Sequence, residues 1–214
     1  MIDSVLRQAF FWLVVRPFLL VVTGLNVRHR ERLPEDGPAI LVANHNSHLD
    51  TVVLMTLLPP RLLKKIRPVG AADYFLANRF LAWFSLCVIG IIPIHRSGRA
   101  PGTDPFEEVS AALLQGEIVI IFPEGSRGQP EQLATFKKGV AHLAKRHADV
   151  PVVPVFMHGL GKSLPKDDWV PVPFFCDVFV GEALYGSDDP TEFTEQLNQR
   201  VVALAAEGQF PDWE

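Results

Sequence analysis

Ala39-Ile40-Leu41-Val42-Ala43 runs straight into Asn44-His45-Asn46-Ser47-His48-Leu49-Asp50. Five consecutive apolar residues read as a strand buried on both faces. The segment His48–Leu57 that follows reads as a helix. Strand, polar turn and helix in this order form the unit from which parallel sheets are built. On an ideal helix, residues five apart lie about 140° apart around the axis. His45 must therefore precede the helix, with Ser47 near its N-cap and Asp50 in its first turn. Ser47-x-x-Asp50 also matches a capping box, which needs no chemistry.

Working outward, the same alternation repeats. Further strands are expected at Arg67–Ala71, Ile89–His95, Ile118–Phe122, Val152–Phe156 and Phe174–Val180. Helices are expected at Tyr74–Leu86, Pro105–Gln115, Lys138–His147 and Thr191–Ala206. This predicts an α/β fold: a mixed, largely parallel sheet flanked by helices. Ligands bind such sheets beyond the carboxyl ends of the strands. Asn44-His45, Arg96, Pro123–Arg127 and His158-Gly159 each follow a predicted strand, so four strands are expected to bring polar groups to one edge.

At 214 residues with 48% apolar and 21% charged side chains, the chain suits one globular domain. Residues 1–100 carry 12 Lys+Arg against 6 Asp+Glu, and residues 101–214 carry 8 against 18. A basic front half fits a surface meeting anionic headgroups or phosphorylated substrates, and equally fits an uneven scatter of solvated charges. Cys87 and Cys176 are isolated and read as buried thiols of a reducing compartment. Near the N-terminus, Ala9–Val15 and Phe18–Leu25 are almost wholly apolar and are separated by Arg16-Pro17. Neither run reaches the roughly 20 residues of a spanning helix. Residues 1–25 are therefore expected as a membrane-associating helix pair, anchored by Phe10, Phe11, Trp12 and Phe18, with core helices as the alternative. Residues 26–214 are expected as the single α/β domain.

An imidazole held by a carboxylate can take a proton from a hydroxyl near neutral pH, which makes acyl transfer to an alcohol the first hypothesis. The spacing alone decides little, because seven histidines and 12 aspartates in 214 residues give roughly 0.4 chance matches. His45, His48 and Asp50 match no common zinc spacing, so no metal site is expected. Phe122-Pro123-Glu124-Gly125-Ser126-Arg127 displays Glu124 and Arg127 on a turn at a strand end, and Lys137-Lys138 adds cations nearby. Arg96 ends an apolar strand, where a guanidinium can bind phosphate bidentately. The chain has no G-x-S-x-G elbow, P-loop or strand-borne G-x-G-x-x-G, and no basic, aromatic-interleaved segment for nucleic acid.

Together these segments resemble the glycerolipid acyltransferases, the family of 1-acyl-sn-glycerol-3-phosphate acyltransferase. Its block N-H-x-S-x-x-D is matched by Asn44, His45, Ser47 and Asp50. A glycine-led strand ending in arginine is matched by Gly90 and Arg96, with Pro93 in place of an aromatic residue. The block F-P-E-G-[ST]-R-S is matched from Phe122 to Arg127, with Gly128 replacing the last serine. A V-P-V-V-P-V-like strand is matched by Val150–Val155. The resemblance spans residues 44–155 and implies that His45 and Asp50 are catalytic. It also implies that Arg96, Glu124, Gly125, Arg127 and, more weakly, Lys137 bind the acceptor. No cofactor is implied. The implied partners are a lysophospholipid acceptor, acyl-CoA or acyl carrier protein as donor, and a membrane surface, with a peripheral place on the cytoplasmic face.

Three other readings stay open on the residues: a different acceptor (another lysolipid or glycerol 3-phosphate), an acyl thioesterase in which His45 activates water, and a catalytically silent membrane-binding protein.

Overall fold

The computed structural model describes residues 2–95, 104–126, 128, 132–164 and 170–210. A seven-stranded sheet runs through it: β1 Thr23–Arg28, β2 Ala39–Ala43, β3 Ile66–Ala71, β4 Ile92–Ile94, β5 Ile118–Ile121, β6 Val152–His158 and β7 Phe174–Val180. Their spatial order is β1-β7-β6-β2-β5-β3-β4. Every neighbouring pair is parallel except β6 with β7. The mixed, largely parallel sheet flanked by helices is as expected.

Strands β2, β5 and β6 are sequestered on both faces, which is why their sequences are unbroken apolar runs. Leu41, Ile120, Val153 and Met157 face one core layer. That layer is covered by helix α1 (residues 2–22) and helix α2 (Leu49–Leu57). Ile40, Val42, Val119 and Ile121 face the other layer. Helix α3 (Arg79–Ile89) packs beside α1 through an edge-to-face contact of Phe84 with Phe10, ring centres 5.2 Å apart. Helices α4 (Glu107–Leu114), α5 (Gly139–Arg146) and α6 (Pro190–Glu207) cover the second layer.

Two expectations at the N-terminus are revised. The helix pair is one continuous helix, because Phe11–Val15 forms a π turn ahead of Arg16–Val22. The Arg16 N–H donates to the Phe11 carbonyl five residues back, and this widened turn makes room for the Pro17 ring. Ser4–Val22 is consequently long and apolar enough to cross a membrane by length and composition, with 28% of that window buried in the protein. The boundary expected at residue 25 falls inside β1, an edge strand that pairs with β7.

Helix α1 lies along the domain through a stripe four residues apart: Arg7, Phe11, Val15 and Leu19 are all buried. Arg7 donates to the Ile66 carbonyl at 2.6 Å. Burial, helped by Arg67 and opposed by Glu117, lowers the Arg7 guanidinium to about 10. Its outer face is also apolar, with Leu13, Leu20 and Val21 each more than three-quarters exposed.

Elsewhere the differences are local. The helix expected over Tyr74–Leu86 breaks after Phe75, and the Asn78 side chain accepts from the Leu81 N–H to start α3. Ile89 ends α3 instead of opening β4.

Candidate active site

Since β2, β3, β4, β5 and β6 run the same way, their carboxyl ends share one edge of the sheet. The antiparallel β6–β7 pair brings the start of β7 to that edge, and β1 starts there too. His45 leaves β2 at this edge.

The His45 Nδ1 lies 2.9 Å from Asp50 Oδ2, and Asp50 is 1% exposed. The same carboxylate oxygen accepts the N–H groups of Asn46 at 2.7 Å and Ser47 at 2.9 Å. One atom therefore caps the start of α2 and holds the imidazole, so the two meanings of Ser47-x-x-Asp50 coexist. With Nδ1–H donated to Asp50, Nε2 is the basic nitrogen. The imidazole stacks on Phe122, ring centres 4.1 Å apart and planes 18° apart.

Several latches hold this turn. The Asn44 amide donates to the Met157 carbonyl and accepts the Met157 N–H, both at 2.8 Å, closing β2 onto β6. Ser47 Oγ accepts the Leu49 N–H and donates to the Leu164 carbonyl at 2.8 Å. The His45 N–H donates to Glu124 Oε1 at 3.4 Å, and the Gly128 N–H donates to the His45 carbonyl at 2.9 Å.

A cleft of about 830 Å³ opens beside His45. Around the imidazole its walls carry His48, Thr51, Gly125, Ser126 and Lys137, and it extends to the apolar Leu81, Phe84, Ile89 and Ile91. Gly125 adopts φ +76°, and a Cβ there would sit 2.5 Å from Lys137 Nζ, so the bare backbone lets the ammonium lie over the turn.

The remaining expected residues are placed unevenly. Glu124 is 5% exposed and lies behind the cleft wall, with Oε2 buried and lacking a hydrogen-bond partner among the described residues. Burial raises its carboxyl to about 7, and the charge of Asp50 adds to this. The His45 and Ala134 N–H groups pull it down. Arg96 and Arg127 lie outside the described residues. His158 is buried and stacked on Phe210, ring centres 3.6 Å apart, so β6 does not bring its histidine to the cleft. His48 faces Tyr74, ring centres 6.1 Å apart. Among the described residues no three His, Cys, Asp or Glu side chains gather to hold a metal. Sequence reasoning missed Phe122 as the platform under the imidazole. Its only signal was an aromatic residue directly after a buried strand.

The family model "Acyltransferase" matches residues 24–158, more than half of the chain. The chain belongs to this acyltransferase family. Within the family it is 30% identical over 192 residues to a 1-acyl-sn-glycerol-3-phosphate acyltransferase of Pseudomonas aeruginosa, covering 87% of this chain and 70% of that protein. A chloroplastic 1-acyl-sn-glycerol-3-phosphate acyltransferase of Arabidopsis thaliana is 31% identical over 142 residues, covering 66% of this chain and 38% of the relative. The chain thus spans well under half of that chloroplastic relative. The crystal structure of the 1-acyl-sn-glycerophosphate (LPA) acyltransferase PlsC from Thermotoga maritima superposes with a TM-score of 0.76. That match covers 97% of this chain and 80% of the other, at 21% identity, and shows the acyltransferase fold.

Proposed function

We propose that the protein transfers a fatty acyl group from acyl-CoA or acyl carrier protein to the free hydroxyl of 1-acyl-sn-glycerol 3-phosphate, making phosphatidic acid. The observation that carries this reading is the His45–Asp50 pair, 2.9 Å apart, whose imidazole lines a cleft that continues into apolar walls. The relatives' activity as 1-acyl-sn-glycerol-3-phosphate acyltransferases supplies the substrate class.

In this mechanism the His45 Nε2 removes the acceptor hydroxyl proton as its oxygen attacks the thioester carbonyl. The imidazolium that forms is stabilised by the buried Asp50 carboxylate. Collapse of the tetrahedral intermediate forms the ester and breaks the C–S bond, and the thiolate leaving group takes up the proton. A thioester is already activated, so no acyl-enzyme is needed. The apolar walls from α3 take the acyl chain, because they bury hydrocarbon beside the reacting carbon. Lys137 binds the acceptor phosphate together with Arg96 and Arg127, and Gly125 allows close approach. Glu124 positions the His45 turn from behind. The lipid acceptor also assigns the protein a peripheral place on the cytoplasmic face of a membrane, with the apolar outer face of α1 against it.

An acceptor panel with one labelled acyl thioester, read by product mass, tests the reading. Phosphatidic acid from 1-acyl-sn-glycerol 3-phosphate is expected. Free fatty acid formed at a rate indifferent to any added lysolipid would make the protein a thioesterase instead.

A further inference from the structure

A second apolar surface lies at the edge that carries His45, beside the end of α1. Val170, Val172 and Phe175 are 76%, 56% and 79% exposed. Phe174 and Phe175 begin β7, and the parallel β1–β7 register sets them opposite Thr23 and Gly24. Thr23 directly follows the end of α1, where Leu20 and Val21 are 84% and 76% exposed. Gly24 is what lets the rim approach. The Phe175 ring lies over it so closely that a Cβ at Gly24 would sit 2.7 Å from the ring. Apolar exposure thus passes from the end of α1 across the first residues of β1 to the start of β7.

The rim is also wired to the catalytic turn. The Val172 N–H donates to the Ser163 carbonyl at 2.8 Å, and Ser163 Oγ donates to the Val172 carbonyl at 3.0 Å. One residue further on, the Leu164 carbonyl accepts from Ser47 Oγ.

We propose that Val170, Val172 and Phe175 form a second lipid-docking surface that seats the His45 edge of the sheet on a bilayer interface. The proposal rests on the reading above, in which acceptor and product are membrane lipids. A bilayer suits this surface better than a second copy of the chain. The adjoining helix has a mean hydropathy of 1.7 over its apolar window. Its strongly exposed described side chains, Val5, Trp12, Leu13, Val14, Leu20 and Val21, are all apolar, whereas a protein interface pairs an apolar centre with a polar rim. Of the two charges on that stretch Arg7 is buried, and Arg16 lies over the Trp12 ring at 4.2 Å, a basic–aromatic pairing suited to the headgroup level. Contacts along α1 and at the start of β7 together fix an orientation, which a single helix lying in the interface does not. Docking at both brings the cleft mouth to the layer where the acceptor hydroxyl resides.

The test uses the full chain and the double variant Val172→Ser/Phe175→Ser, with vesicles of mixed phosphatidylcholine and phosphatidylglycerol. Acyl transfer is measured to a long-chain lysophosphatidate carried in the vesicles and to a short-chain, water-soluble one. The double variant is expected to bind vesicles about ten-fold or more weakly and to lose turnover of the vesicle-borne acceptor in proportion. Its kcat/KM for the soluble acceptor should stay at the wild-type value. Phe175→Trp, which keeps an apolar ring, should bind as the wild type does. Equal vesicle binding and equal vesicle-borne turnover by the double variant and the wild type would overturn the proposal. So would Phe175→Trp binding as weakly as the serine variant, or a wild-type dimer that the serines convert to monomer. A wild-type protein that makes phosphatidic acid from neither acceptor would sink the proposed function, while the vesicle-binding result would still judge the docking surface.

Discussion

Asp50 Oδ2 serves three donors at once: the His45 ring and the N–H groups of Asn46 and Ser47. Because those backbone donors belong to the turn that carries His45, imidazole orientation and turn geometry share one anchor. Behind the turn, Glu124 carries a consequence for pH. Below its ordinary value of 4.5 the carboxyl is protonated both folded and unfolded. Between 4.5 and about 7 the unfolded chain has released the proton while the folded protein still holds it. Stability therefore falls as pH rises through that window and levels off above it. Chemical denaturation across this range should show the decline, and Glu124→Gln should remove its share of the slope. A slope identical in both proteins would contradict the assignment. Gly128 bears on the same group. A Cβ there would sit 3.4 Å from Glu124 Oε2 and 3.7 Å from Asn46 Oδ1, both buried acceptors without partners among the described residues. Gly128→Ser supplies a donor, so carboxyl NMR should find Glu124 titrating below its wild-type value. An unchanged or raised value would show that the hydroxyl does not reach it. His45, Asp50, Gly125 and Lys137 were legible as a site because each lies in a short block whose chemistry is local. The Asn44–Met157 latch, 113 residues apart, and the Ser47–Leu164 contact, 117 apart, were not, since only the assembled sheet creates them.

Among the elements, the buried strands were the most legible. Ala39–Ala43 and Phe174–Val180 have the bounds expected from their apolar runs. β1 was hidden because Gly24, Asn26 and Arg28 face solvent on an edge strand, which breaks the apolar signal just where α1 ends. The π turn was hidden for another reason. A proline after a charge reads as a helix break, and only the i to i−5 bond of Arg16 to Phe11 shows how the helix continues. The contact between α1 and the turn after α3 is a further device at this scale. Gly90 sits at φ +78°, and a Cβ there would lie 2.7 Å from Arg7 Nη1. Gly90→Ala combines backbone strain with displacement of a buried guanidinium. The strain alone costs about 1–2 kcal/mol. A Tm lower by roughly 2–8 °C is expected in thermal unfolding. An unchanged Tm would mean that this turn relaxes freely and does not clamp α1.

At the scale of the molecule, the reversed pair β1–β7 sets up the sheet edge that the proposed lipid docking uses. It brings the end of α1 and the start of β7 to the edge where β2 and β5 release His45 and the 122–126 turn. Apolar side chains outside α1 and on the rim stay largely exposed in the folded chain. The asymmetry of charge along the sequence fitted an anionic partner and a scatter of solvated charges equally, because composition carries no geometry. The central claim is that His45 is the base that deprotonates the acceptor. It is tested most directly by the rate at which wild type and His45→Ala convert a labelled acyl thioester and 1-acyl-sn-glycerol 3-phosphate to phosphatidic acid, with thermal unfolding followed in parallel. The account predicts a fall of about 100-fold or more in the variant with the fold retained. A variant that is folded and as fast as the wild type would contradict it.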